Sequence, residues 1–140
     1  MNREVIIDTN LIFAFLHRNQ AKSARFFFSE QGINFLTPNF FVYETFLHHD
    51  ILLEKSKGTK EATHSLFEKV VEKLCFVNET TISVKNFVDA YYLCKDVDDK
   101  DTPFIALSLE LNAPLWTRDT ILKKHLISNN FTNFFDENLL

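Results

Sequence analysis

Val5-Ile6-Ile7-Asp8-Thr9-Asn10 begins with a short β-branched apolar run that breaks off at an aspartate. Such a run suits a strand buried on both faces, as in a parallel sheet, better than a helix, and it ends the strand at residue 7. A second short run, Ala113-Pro114-Leu115-Trp116-Thr117, is also too short for a helix and is soon followed by Asp119. Between the two, Ile33 to Leu36 and Cys75 to Val77 read as strands, and Phe131 to Phe135 as an added edge strand.

Helical patterns fill the intervals. They run from Leu11 to Leu16, and from Ala21 to Ser29 with Gly32 as C-cap. Thr37-Pro38 reads as the start of a long helix through about Lys57, with Pro in its first turn and Gly58 beyond its end. Glu61 to Leu74 places Leu66, Phe67, Val70 and Leu74 on one side, and Val84 to Lys95 places Phe87, Val88, Tyr91 and Cys94 inward. Pro103 to Leu111 is apolar on nearly every side and should be buried, and Thr120 to His125 forms the last helix. Strands alternating with helices require parallel pairing through right-handed crossovers. The expected architecture is an α/β three-layer sandwich, with a central parallel sheet of about 4–5 strands flanked by helices. The length of 140 residues fits one domain, 1–140, without internal repeat or linker.

Composition narrows the class. With 46% hydrophobic residues, 16 Phe, two Gly and three Pro, the chain is rich in core material and poor in loop formers, which argues against disorder. No apolar run reaches the roughly 20 residues of a membrane span. The start, MNREVIID, is unlike a signal peptide, and Cys75 and Cys94 have no metal-ligand or redox spacing, so a cytoplasmic location is expected. A net charge of −4 is unusual for a partner of nucleic acid, which calls for surplus Lys and Arg unless cations supply the local positive potential.

In open parallel sheets ligands bind beyond the carboxyl ends of the strands. Asp8 and Asp119 lie at two such ends, where each can alternatively serve as a helix N-cap. Glu44 shares a helix face with Phe40, Leu47 and Ile51, and a carboxylate on an apolar stripe calls for a pairing cation. Asp101 precedes Thr102-Pro103 at the start of the buried helix, which also makes it a candidate N-cap. Asp98 stands in the same acidic run, which taken alone reads as a solvated loop. Carboxylates that converge without partners repel one another, so the set makes sense around divalent cations, and oxygen-only ligands select Mg²⁺ or Mn²⁺ over zinc.

With these pieces in order, the sequence resembles the PIN-domain family, whose members include ribonucleases and the toxins of the VapBC class. The resemblance rests on Ile6-Ile7-Asp8-Thr9-Asn10, on the mid-chain helix carrying Glu44, and on Asp101-Thr102-Pro103-Phe104-Ile105-Ala106-Leu107 followed by Leu115-Trp116-Thr117-Arg118-Asp119. It implies Mg²⁺- or Mn²⁺-dependent endonucleolytic cleavage of RNA, with Asp8, Glu44, Asp101 and Asp119 as the acidic positions and Asn10 and Thr117 as neighbours that orient them by hydrogen bonds. It also implies a homodimer and, for a toxin, an antitoxin partner. The sequence departs from the family at Thr102-Pro103, which shifts the following helix by one residue and leaves Asp98 competing with Asp101 for the third carboxylate. The alternative is a PIN-like fold that does not cleave and serves as a nucleic-acid or protein binding module.

Around this set, Arg118, Lys123, Lys124 and His125 form a basic cluster suited to a phosphate backbone. His48 and His49 are adjacent on a helix and point about 100° apart, so they do not share a metal. Phe26-Phe27-Phe28 and Phe40-Phe41 read as core or dimer packing, and Cys94 as an inert core thiol.

Overall fold

The structure, a computed structural model, describes residues 2–55 and 58–140. Strand β1 (Arg3–Ile7) alternates its side chains between two cores: Val5 and Ile7 enter one and Ile6 the other. Helices α1 (Thr9–His17), α2 (Lys22–Ser29), α3 (Phe40–Lys55) and α4 (Lys60–Lys73) cover the first face, where Phe15, Phe27, Phe41 and Val70 are fully buried. Helices α5 (Val84–Cys94), α6 (Thr102–Leu111) and α7 (Thr120–Ser128) cover the second through Ala90, Cys94, Ile105, Leu107 and Leu126. Strands β2 (Ile33–Pro38), β3 (Leu74–Val77) and β4 (Leu115–Trp116) complete a parallel sheet in the order β3-β2-β1-β4. The expected three-layer arrangement is therefore observed.

Chain order reverses beside β1. The chain leaves β1 toward β2 and β3 on one side, then returns through α5 and α6 to β4 on the other. Ile6 pairs with Leu115 and Ile7 with Trp116, so β1 and β4 end side by side. That is the switch point at which a crevice opens in such sheets.

Several sequence expectations need correction. Thr37 and Pro38 are the last residues of β2, where they pair with Phe76 and Val77, and α3 starts only at Phe40. Proline is tolerated at a strand terminus because its fixed φ lies within the extended range. The expected helix end near Lys57 lies outside the described residues. Gly32 does not cap α2: Glu30 turns the chain extended at φ −66° and ψ 132°, no described glycine has a positive φ, and the Glu30 carboxylate accepts from the Gly32 N–H at 2.6 Å. Val88 and Tyr91 are exposed, because α5 meets its neighbours through the small Ala90 and Cys94. The tail forms only a single parallel bridge, between Phe134 and Leu115.

Aromatic rings fill the first core. Phe35 lies 4.9 Å from Phe27 and 6.0 Å from Trp116 between ring centres, and Trp116 lies 4.8 Å from Phe135. Phe35→Ala opens a cavity beneath the strand that neighbours Asp8, at a cost of about 3–5 kcal/mol. Denaturant unfolding followed by the fluorescence of Trp116, the single tryptophan, should show that loss; a change below about 1 kcal/mol would mean that the core collapses onto the gap.

Candidate active site

Asp8 immediately follows β1 and is buried at 8% exposure. Its Oδ1 accepts from the Leu11 N–H at 3.0 Å, which caps α1, and its Oδ2 accepts from the Thr117 hydroxyl at 2.6 Å. The capping role and a site role thus coexist, because a carboxylate has about four lone-pair positions and its hydrogen bonds do not fill them all. Burial pushes the Asp8 carboxyl above its ordinary value and Asp119 adds to the shift, against hydrogen bonds from Thr117, Leu11 and Asn10. Asn10 is exposed, and its contact with Asp8 runs through the backbone.

Thr117 links the two strand ends. Its oxygen also accepts from the Asp119 N–H at 3.2 Å, while Asp119 Oδ1 caps α7 through the Leu122 N–H at 3.0 Å. Asp101 lies at the start of α6 but makes no side-chain capping bond. Its carboxyl is pushed up to about 7 by burial first, then by Asp8, Asp98, Asp119 and Glu44. All four other acids act on this one group, so they share its electrostatic environment.

Glu44 is half-buried and held by the Thr9 hydroxyl, which donates to its Oε1 at 2.7 Å. Burial raises the Glu44 carboxyl; the Thr9 bond lowers it, Asp8 raises it, His48 lowers it and Asp98 raises it. The apolar stripe inferred around Glu44 is not core-facing, since Leu47 is 53% and Ile51 50% exposed. Helix α3 instead buries Phe41, Thr45 and Leu52, which leaves Glu44 at the rim beside α1. Thr9 escaped sequence reading because nothing local ties it to a residue 35 positions away. Asp98 is exposed and accepts from the Lys100 N–H at 3.0 Å at the start of a short 3-10 turn, Asp99–Asp101.

The basic cluster is largely occupied elsewhere. Arg118 donates from Nε to Glu137 Oε1 at 2.8 Å and from Nη2 to Ser23 Oγ at 2.6 Å, and Lys123 Nζ lies 5.2 Å from the centre of the Phe134 ring. Lys124 is exposed. Among the described residues, no three His, Cys, Asp or Glu side chains are drawn together tightly enough to hold a metal ion. The carboxylates therefore share a field without forming a closed ligand shell, as mutual repulsion would dictate.

The PIN-domain family model matches residues 6–133. The chain belongs to the PIN-domain family. VapBC2 from Rickettsia felis, solved bound to a DNA fragment from its promoter, is similar in fold at 15% identity and a TM-score of 0.57, with 94% of this chain and 96% of that one covered. VapBC-1 from nontypeable Haemophilus influenzae is similar at 16% identity and a TM-score of 0.58, with 89% and 93% covered. No curated protein matches the sequence. Among the described residues of this PIN domain, no helix is long and apolar enough to cross a membrane.

Asp101 gives the site a pH signature. The fold favours its protonated form, so its contribution to stability is fully present below the ordinary value of 3.8 and is lost as pH rises through about 7. In metal-free protein, Asp101→Asn should therefore gain on the wild type over that interval, by on the order of 2 kcal/mol after discounting the full shift for solvent screening. Denaturant melts in the presence of a chelator at several pH values check this; parallel curves would show that Asp101 carries no such strain.

Proposed function

We propose that this PIN domain is a metal-dependent endoribonuclease that hydrolyses RNA phosphodiester bonds, with Asp8, Glu44, Asp101 and Asp119 as its acidic centre. The observation that carries the reading is Asp101: a half-buried carboxylate that caps nothing, raised to about 7 by burial first and then by four acidic neighbours. A group of that kind is stabilised by a cation, and a donor set made only of oxygens suits Mg²⁺ or Mn²⁺. Asp8, Asp101, Asp119 and Glu44 would hold the ion, with Asp98 at the margin. Bound there, the ion would activate water and stabilise the leaving oxygen of the phosphodiester.

The chain's own residues prepare that centre. Thr117 fixes the Asp8 carboxylate through Oδ2 and the Asp119 backbone through its N–H, and so sets the spacing of the two strand ends. Thr9 aims Glu44 from α1. Asn10 supports Asp8 from the backbone side, and exposed Lys124, with Lys123 and Arg118 when they release their present partners, would meet the RNA backbone.

The same reading extends to partners and location. The two VapBC structures are similar in fold, which supports a toxin paired with an antitoxin, and a cytoplasmic homodimer completes that proposal. The lack of a preformed three-ligand shell favours a second reading, in which the domain binds nucleic acid or protein without cleaving.

Cleavage of an RNA pool in Mn²⁺ or Mg²⁺ decides between them. The wild type should cut and be silenced by chelator, while Asp8→Asn should lose at least about 100-fold in rate and keep its fold, since removing a metal-held carboxylate removes the stabilisation of the reacting oxygens. Absence of both cleavage and Mn²⁺ binding in the wild type would hand the assignment to the binding module.

A further inference from the structure

His49 on α3 and His64 on α4 face each other away from the acidic centre. Their Nε2 atoms are 3.1 Å apart while their ring centres are 5.4 Å apart, so the two Nε2 corners point at one another. The ring planes differ by only 28°. On the far side of the His49 ring, the exposed Asp50 carboxylate lies 3.4 Å from Nδ1, where a proton on Nδ1 would leave the His49 Nε2 lone pair free to accept from His64. His48, one residue earlier, turns toward Phe13 and acts on Glu44 instead, as the 100° step of the helix requires.

We propose that His49 and His64 form a second metal site, a two-imidazole clamp for a borderline divalent ion of the Zn²⁺, Ni²⁺ or Cu²⁺ kind. Two imidazoles on one tetrahedral zinc, with Zn–N of about 2.05 Å, place their nitrogens about 3.3 Å apart, close to the observed separation, and each ring would turn by about 35° from its head-on alignment to coordinate. Neutral nitrogen donors select these ions over Mg²⁺ and Mn²⁺, which the carboxylates prefer. The pair stands at the rim of a groove of about 570 Å³ between α3 and α4, so water has room to fill the other positions. A bound ion would pin α4 to α3 across the connection that joins them.

Calorimetric titration of untagged full-length protein with Zn²⁺, in excess Mg²⁺, tests the site. Wild type and Asp8→Asn should each bind one Zn²⁺ per chain with the moderate affinity of a two-ligand site, and His48→Gln should match them. His49→Gln and His64→Gln should each lose about tenfold or more in affinity, because each removes one of two protein ligands. Zn²⁺ should also raise the melting temperature of the wild type and leave that of His64→Gln unchanged, since a ligand stabilises only the state that binds it. Zn²⁺ affinity equal in wild type and His64→Gln, or lost in Asp8→Asn while retained in His64→Gln, would overturn the clamp and leave the two rings as a plain hydrogen-bonded pair. Neither outcome depends on RNA cleavage, so failure here is distinct from failure of the nuclease reading.

Discussion

One hydrogen bond, from the Thr117 hydroxyl to the Asp8 carboxylate, joins residues 109 positions apart at 2.6 Å and holds the ends of β1 and β4 in a fixed relation. It is possible only because the chain reverses its strand order beside β1, which makes the first strand and the last strand neighbours. Ile6, Ile7, Leu115 and Trp116, all essentially inaccessible, secure that pairing from both faces of the sheet. Hydrophobic burial thus sets the position of a polar contact that it could not itself specify.

The fold then gathers like charges. Asp8, Asp101 and Asp119 each stand at the start of a helix, α1, α6 and α7 respectively, where the positive end of the helix dipole favours a carboxylate by about 0.3–1 kcal/mol. Asp8 and Asp119 gain capping bonds as well, whereas Asp101 gains none and bears the strain of the group. Helix starts therefore offset part of the repulsion, and the remainder is what a divalent cation would neutralise. A net charge of −4 fits this arrangement, since the positive potential that a nucleic-acid partner requires would come with the ion.

Much of this was legible along the chain, and the exceptions have physical causes. Val5-Ile6-Ile7 and Leu115-Trp116 announced themselves because a strand buried on both faces has no room for polar residues, and the aspartates mark where burial stops. Thr37-Pro38 misled because proline suits the first turn of a helix and the end of a strand equally well, and only pairing with Phe76 and Val77 decides. Apolar size misled in α5, where the close approach to α6 selects Ala90 and Cys94 and leaves Val88 and Tyr91 outside. Helix α3 scatters apolar and polar residues around its surface, so its sequence could not say which face meets the core or that Glu44 would depend on Thr9. Arg118 looked free to meet phosphate because its partners, Ser23 and Glu137, come from distant segments.

The proposed chemistry requires a shared cation between the ends of β1 and β4. Anomalous diffraction from crystals soaked in Mn²⁺ locates such an ion directly. The predicted result is a peak within bonding distance of carboxylate oxygens from Asp8 and from at least one of Asp101, Asp119 and Glu44. A peak elsewhere on the surface with none between these side chains, at a concentration that saturates other sites, would contradict it.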